Sequence, residues 1–219
     1  MRYLREIFTL VKKDLKIEFR THDLFLVMLV FAVSLLFILN FALDKNIKGR
    51  ADGAAGLVWT ILVLSGQLGL NQVIGIEKHA NAMDALIASP ISRSAVYLGK
   101  TISAFLSMFV TGLIVFPLYS VFYNVSGLTL WFIPILLLGC WGYCALGTLI
   151  SMMTIQVRTR DILLPILFFP LIIPLIVVAV KLTQAAYLNE VFRFTNPLVL
   201  QLIVFDIIFT AVGILGFDI

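Results

Sequence analysis

The sequence predicts an all-helical membrane protein with six transmembrane helices, and three observations support this fold class. Apolar residues make up 61% of the 219 residues, and charged residues only 13%. The mean hydropathy of +1.07 implies more apolar surface than a water-soluble domain of this size can bury. Six apolar runs each have about the 20 residues needed to cross a hydrocarbon core of roughly 30 Å. They are about Leu24–Leu43, Ala54–Ile76, Thr101–Tyr123, Trp131–Ile155, Ile162–Val180 and Leu198–Phe217.

These runs use more than half of the chain, so we expect residues 1–219 to form one integral membrane domain. Two segments within it differ from the spans: residues 1–22 and residues 77–100. The first 20 residues carry six Lys or Arg and three acids, with no apolar core, so we expect no cleavable signal peptide.

The distribution of basic residues predicts the orientation of the chain. Eleven of the sixteen Lys and Arg residues lie in the N-terminal segment, the loop between the second and third spans, and the loop between the fourth and fifth. An excess of Lys and Arg marks the cytoplasmic side. We therefore expect a multi-pass protein of the bacterial inner membrane with both termini in the cytoplasm. Because the charge sits beside the spans, it does not predict binding to nucleic acid.

Residues 1–22 are predicted to form an amphipathic helix that lies in the membrane interface. Leu4, Phe8, Val11, Leu15 and Phe19 repeat at helical spacing, with basic residues on the flanks and the opposite side. Such a helix presents its basic side chains to anionic lipid headgroups. Two interpretations stay open: an orientation signal before the first span, or a helix that also transmits motion to the bundle.

Three polar residues inside the predicted spans are candidate functional sites. Gln67 and Asn71 are four residues apart, so they share a helix face that should point at another helix or at a cavity. Hydrogen bonding between helices and a substrate-lining surface are both open. Asp206 is the one acid well inside a span. We expect it to make a packing hydrogen bond in its neutral form, with a role in proton or substrate transfer as the alternative.

Small residues in the fourth span predict close packing of that helix. Cys140, Cys144 and Thr148 form a stripe at intervals of four, which allows another helix to approach closely. The partner helix could belong to the same bundle or to another subunit.

The fifth span contains Pro165, Pro170 and Pro174. Each proline removes a backbone donor and disturbs the preceding turn, so we expect a kinked or partly broken helix. An outer segment from Lys181 to Asn196 is predicted to follow it.

The chain shows no catalytic constellation. Its only histidines are His22 and His79, and it contains no Cys-x-x-Cys or His-Glu-x-x-His motif. The Gly-Lys-Thr run at 99–101 resembles the end of a phosphate-binding loop. However, Ser94 stands where the first glycine is required, and a membrane span follows. We therefore expect a membrane subunit that is not an enzyme and that binds no cofactor of its own.

The charged segment 77–100, EKHANAMDALIASPISRSAVYLGK, is the candidate functional segment. A helical pattern runs through Leu86 and Ile87 and is predicted to end before Pro90. Ser92 is predicted to cap a new helix that enters the third span. A short helix between two spans, with exposed apolar side chains, is suited to dock in a groove of another protein.

The run 83–100, MDALIASPISRSAVYLGK, resembles the coupling segment of type-two ABC exporter permeases. More narrowly, it is similar to the heme exporter protein B (CcmB) family, which shows an acid, a short helix ending Leu-Leu-x-x-Pro, a Ser/Pro-Arg step and a Tyr/Leu-Gly-Lys entry to the next span. The chain length, the basic N-terminal helix, the six spans and the Pro-rich fifth span resemble that family too. The chain departs from the family pattern at Lys78, where glycine is usual, and at Ile87, where leucine is usual.

The resemblance implies a permease that is driven by a separate ABC ATPase (CcmA-like), which binds the ATP. It also implies a heme-handling membrane subunit (CcmC-like), a small single-span subunit (CcmD-like) and a periplasmic heme chaperone, with membrane lipid as surroundings. Whether heme is the cargo of the complex, and whether a second copy of the chain takes part, stays open from the sequence. The implied ATPase-coupling residues are Glu77, Asp84, Leu86, Ile87, Pro90, Ser92, Arg93 and Lys100.

Two other functions stay open from the sequence. One is a type-two ABC permease for a drug, a lipid or a polysaccharide, since the predicted topology would be the same. The other is a membrane scaffold or a secondary transporter outside the ABC class, in which Asp206 would carry more of the function.

Overall fold

The part of the chain that the computed structural model describes is helical apart from four residues that border helices, Ser92, Trp131, Thr154 and Asn196. It comprises residues 2–21, 23–42, 50–79, 92–123, 131–154, 160–187 and 196–218. These residues form seven helices, which confirms the predicted all-helical fold class. The helices are α1 (Arg2–Thr21), α2 (Asp23–Ala42), α3 (Arg50–His79), α4 (Arg93–Tyr123), α5 (Phe132–Met153), α6 (Arg160–Tyr187) and α7 (Pro197–Asp218).

Five of these helices, α2 and α4 to α7, are long and apolar enough to cross a membrane. Helix α3 has 30 residues, but its described apolar part, Ala55–Leu70, is shorter than the roughly 20 residues of a full span. The count of six spans and the single domain over residues 1–219 therefore stay predictions.

Helix α6 differs from its prediction in two ways. It remains one helix through all three of its prolines, so a partial break is wrong, while the alternative of a kink stays a prediction. Each proline removes only one backbone donor, and the bonds on either side still hold the helix. The helix also continues past Lys181 to Tyr187, because a long basic side chain can reach water while its backbone stays helical. The other residues of the predicted outer segment, except Asn196, lie outside the described residues.

Helix α5 lies at the centre of the bundle. It contacts α3, α4, α6 and α7. In its apolar stretch 72% of the residues are buried, a larger share than in any other candidate span of the described chain. Cys140, Cys144 and Thr148 are all buried. The small-residue stripe therefore packs within the bundle, which decides between the two alternatives left open by the sequence.

Glycines let large side chains of α3 pack directly on α5. Gly139 lies under the indole of Trp59 from α3, and Gly147 lies against Leu70 of the same helix. The Trp59 side chain is held in place because its Nε1 donates a hydrogen bond of 2.9 Å to Thr183 Oγ1 of α6. A side chain at Gly139 would occupy the space that the indole fills.

We predict that Gly139→Ala lowers the free energy of unfolding by about 1–3 kcal/mol, because the added methyl group overlaps the Trp59 ring. Gly56→Ala in α3 is the matched control, since nothing lies within 4 Å of a Cβ added there. It should be neutral or stabilise the helix by up to about 1 kcal/mol. Thermal unfolding in detergent gives both values, and equal changes in Tm would contradict the close packing of Trp59 on α5.

Candidate coupling site

The structure describes only part of the predicted coupling segment. Glu77 lies in the last turn of α3, but its side chain is not among those described. Four of the predicted coupling residues lie outside the described residues, so the docking helix stays a prediction; they are Asp84, Leu86, Ile87 and Pro90. The described members are Ser92, Arg93 and Lys100, which lie just before α4 or in its first three turns.

Helix α4 begins where the sequence places it. The carbonyl of Ser92 accepts hydrogen bonds from the backbone N–H groups of Ala95 and Val96, at 3.0 and 3.2 Å. The backbone N–H and the hydroxyl of Ser92 both point at Glu6 Oε2 in α1, at 3.4 and 3.3 Å. A carboxylate is favourable at a helix N-terminus because the unpaired N–H groups there carry partial positive charge. Glu6 therefore ties α1 to the start of α4.

Two turns further along α4, Lys100 forms a buried ion pair with α1. Its Nζ lies 2.9 Å from Asp14 Oδ2, and the two side chains are 8% and 13% exposed. The half-exposed Lys13 lies 3.4 Å from the other oxygen of Asp14. Because Lys100 is enclosed by the bundle, it acts in coupling through its contacts within the bundle, such as the one with Asp14, and not by touching a partner protein.

Close backbone approach supports this ion pair. A Cβ added at Gly99 would lie 3.0 Å from the Cβ of Leu10, which is tight for two carbon atoms. Glycine at this position therefore lets α1 lie directly on α4. We call the set of Glu6, Leu10, Asp14, Ser92, Gly99 and Lys100 the α1–α4 joint.

Arg93 has the opposite environment to Lys100. It is the first residue of α4 and is exposed. Among the described residues predicted to couple, it is the most accessible to a partner protein.

The α1–α4 joint connects to the centre of the bundle through Tyr97. Its hydroxyl lies 3.1 Å from the backbone oxygen of Ala145 in α5 and 3.3 Å from that of Phe209 in α7, so one proton is shared between two acceptors. The Tyr97 ring also lies on Gly213 of α7. A displacement of the start of α4 would therefore reach both α5 and α7.

Sequence reasoning missed the inward face of α1. The predicted apolar stripe is largely exposed: Leu4 is 71% exposed, Phe8 70% and Phe19 74%. The buried apolar residues are instead Ile7 and Leu10, about a quarter turn around the helix.

All three acids of α1 also face the bundle. Glu6 and Asp14 belong to the joint, and Glu18 Oε1 accepts a hydrogen bond of 2.7 Å from the backbone N–H of Phe25, in the first turn of α2. Their spacing of eight and four residues places them on one side of a helix, which is the signal that could have found them. The described basic side chains of α1 are all exposed, and they are Arg5, Lys12, Lys13, Lys16 and Arg20.

The predicted intramembrane polar residues are buried where their side chains are described. Gln67 is 8% exposed and Asp206 is 6% exposed, and neither side chain has a hydrogen-bond partner among the described residues. The packing hydrogen bond expected for Asp206 is therefore not found in this part of the chain; the carboxyl group instead lies against Gly142 of α5. Asn71 lies in α3, and its side chain is not described.

Within the described residues, no three His, Cys, Asp or Glu side chains lie close enough together to bind a metal ion. His22 lies outside these residues, and His79 is described only by its backbone.

We predict that Asp14→Asn destabilises the protein by about 3–5 kcal/mol, because it removes the carboxylate that pairs with the buried Lys100. Lys100→Gln should cost less, because Lys13 still lies 3.4 Å from Asp14. The double variant should cost less than the sum of the two, since neither charge then remains. Thermal unfolding in detergent of the four proteins gives the coupling energy. Additive losses would show that the two side chains do not interact.

Comparisons with known proteins agree with this architecture. The family model of the CcmB protein matches residues 5–215. A relative, heme exporter protein B of Rhodobacter capsulatus, is 24% identical over 176 residues, which cover 80% of this chain and 81% of the relative. The family model's match, over residues 5–215, begins within α1 and ends within α7, so it includes all or part of every described helix. The chain belongs to the CcmB protein family.

Proposed function

We propose that this chain is the membrane permease subunit of a complex that exports heme for cytochrome c maturation. The observation that carries the proposal is the family match over residues 5–215, together with the relative named heme exporter protein B. The apolar helices support a multi-pass membrane location, which we assign to the bacterial inner membrane with both termini in the cytoplasm. The subunit has no catalytic role of its own, and ATP is hydrolysed by a separate ABC ATPase.

The α1–α4 joint supports a mechanical role for the segment 77–100. In this proposal the ATPase docks on Leu86, Ile87 and the exposed Arg93, and its movement displaces the start of α4. The buried pair of Lys100 and Asp14 makes α1 follow that movement. Tyr97 passes it to α5 and α7. Packed helices shift as rigid elements because their interfaces are close-packed, so a small displacement is transmitted across the bundle.

The proposed assembly has the partners that the resemblance implies. They are the ABC ATPase, a heme-handling membrane subunit, a small single-span subunit and a periplasmic heme chaperone. A second copy of this chain is our own addition to that set. Heme is then the cargo of the complex. The geometry of the described helices would equally suit a permease for another substrate, and the heme assignment depends on the family.

We predict that Leu86→Asp and Arg93→Glu each reduce the amount of ATPase subunit that co-purifies with the chain by about tenfold or more. The first places a charge in an apolar contact, and the second reverses a charge at its edge. Lys181→Glu, which reverses an exposed charge near the end of α6, is the matched control and should leave co-purification unchanged. Full ATPase recovery with both test variants would exclude docking at this segment, and loss of c-type cytochromes in cells is the independent readout.

The buried Asp206 tests the alternative of a secondary transporter. Asp206→Asn keeps the shape of the side chain and removes its ability to release a proton. If the chain is a permease driven by ATP, the variant should support nearly normal c-type cytochrome levels in a strain that lacks the native gene. A loss of more than about tenfold, with the protein still present in the membrane, would favour proton coupling through this carboxyl group.

A further inference from the structure

A groove opens between α1, α2 and α4, near the end of α1 and the start of α2. It encloses about 470 Å³, which lies within the range of roughly 300–1,000 Å³ of typical ligand pockets. Five of its lining side chains are apolar, and they are Leu15, Phe19, Phe25, Leu106 and Val110.

The Ser107 hydroxyl and one carboxylate oxygen of Glu18 already have partners within the protein. Glu18 accepts its hydrogen bond from the backbone N–H of Phe25. The Ser107 hydroxyl donates to the backbone oxygen of Ser103, one turn earlier in α4, at 3.3 Å. The groove therefore offers mainly apolar contact, and a ligand does not have to supply hydrogen bonds to these lining groups.

Basic side chains border this apolar groove. Lys12 lies three residues before Leu15, and Lys16 lies three residues before Phe19, so each lysine neighbours a groove residue on the helix surface. Both lysines are exposed. The exposed Phe8 and Phe19 on the adjoining face indicate that this side of α1 lies in the apolar part of the membrane interface.

We propose that the groove binds an anionic phospholipid, with one acyl chain between α1, α2 and α4 and the phosphate against Lys12 and Lys16. An apolar groove beside a pair of cations matches a ligand that carries an apolar tail and a negative headgroup. A helix fits less well, because two turns of helix displace on the order of 850 Å³. The site is independent of the proposed transport function.

Selectivity of this site comes from the headgroup. Lipid tails are as apolar as leucine, so an acyl chain gains little free energy by moving from the bilayer into the groove. The tail therefore does not distinguish one lipid species from another. Each basic side chain near an anionic headgroup strengthens binding by about fivefold. A bound lipid touches three helices at once and should therefore stabilise the docked position of α1.

The test is a lipid titration of the purified chain followed by native mass spectrometry, with phosphatidylglycerol as the anionic probe and phosphatidylcholine as the neutral one. We expect phosphatidylglycerol to bind at least tenfold more tightly. Lys16→Gln should weaken its binding about fivefold, and the double variant Lys12→Gln/Lys16→Gln on the order of 20-fold. Lys181→Gln removes an equivalent exposed charge outside the groove and should change binding less than twofold.

Groove-filling variants locate the acyl chain. Val110→Trp and Leu106→Trp each place an indole in the groove and should abolish tight phosphatidylglycerol binding. Ile114→Trp, one turn further along α4 and outside the groove lining, should not. Elution at the wild-type volume on size exclusion identifies the folded variants. Two groove-filling positions are used so that the test still stands if one of the variants does not fold.

Three results would overturn the proposal. Equal affinity for the two lipids would remove the role of the lysines. Unchanged phosphatidylglycerol binding in a folded groove-filling variant would place the lipid elsewhere. A dimer mass that disappears in Val110→Trp but persists in Ile114→Trp would show that a second copy of the chain fills the groove.

Discussion

The buried ion pair between Asp14 and Lys100 sets the rotation of α1 on the bundle. An ionised pair in a low-dielectric environment is stable only while both charges face each other. Rotating α1 by one residue position, about 100°, would take the carboxylate of Asp14 away from Lys100 and break the ion pair between the two helices. Glu6 and Glu18 also fix the rotation of α1, because each accepts a hydrogen bond from a backbone N–H at the start of another helix. One acidic face is thereby fixed inward together with Ile7 and Leu10, and the basic residues and the stripe of Leu4, Phe8 and Phe19 are fixed outward.

The other surfaces of α1 follow from that constraint. With its acids turned to α4 and α2, the helix presents Phe8 and Phe19 to the apolar surroundings and its lysines to the headgroup level. The groove beside Leu15 exists because α1 rests on α4 at Gly99 and then turns into α2 at the Glu18 contact. The proposed coupling path and the proposed lipid site therefore share one helix, but they use different faces of it.

Inside the bundle, α5 is held by shape more than by polar contacts. Glycines at its surface receive Trp59, Leu70 and Leu175 from two neighbouring helices. In a membrane the lipid competes equally for apolar surface, so close packing is the main attraction that helices have for one another. A bundle packed in this way moves as connected rigid helices. The contact of Tyr97 with α5 and α7 therefore gives the start of α4 a direct route to the centre.

The sequence by itself determined the helical class, the approximate ends of the helices and the start of α4 after Ser92. The bilayer requires every backbone group to be bonded within its own segment, so apolar length alone predicts a helix. Tertiary structure decided which face of each helix meets protein. Periodicity shows that Leu4 and Phe8 share a face with Phe19, but lipid and protein interior are equally apolar, so it cannot say which one covers them. For the same reason the stripe at Cys140 and Cys144 needed the fold to place it inside the bundle. The partner of Asp14 lies 86 residues away in the chain, and only the packing of α1 on α4 brings the two charges together.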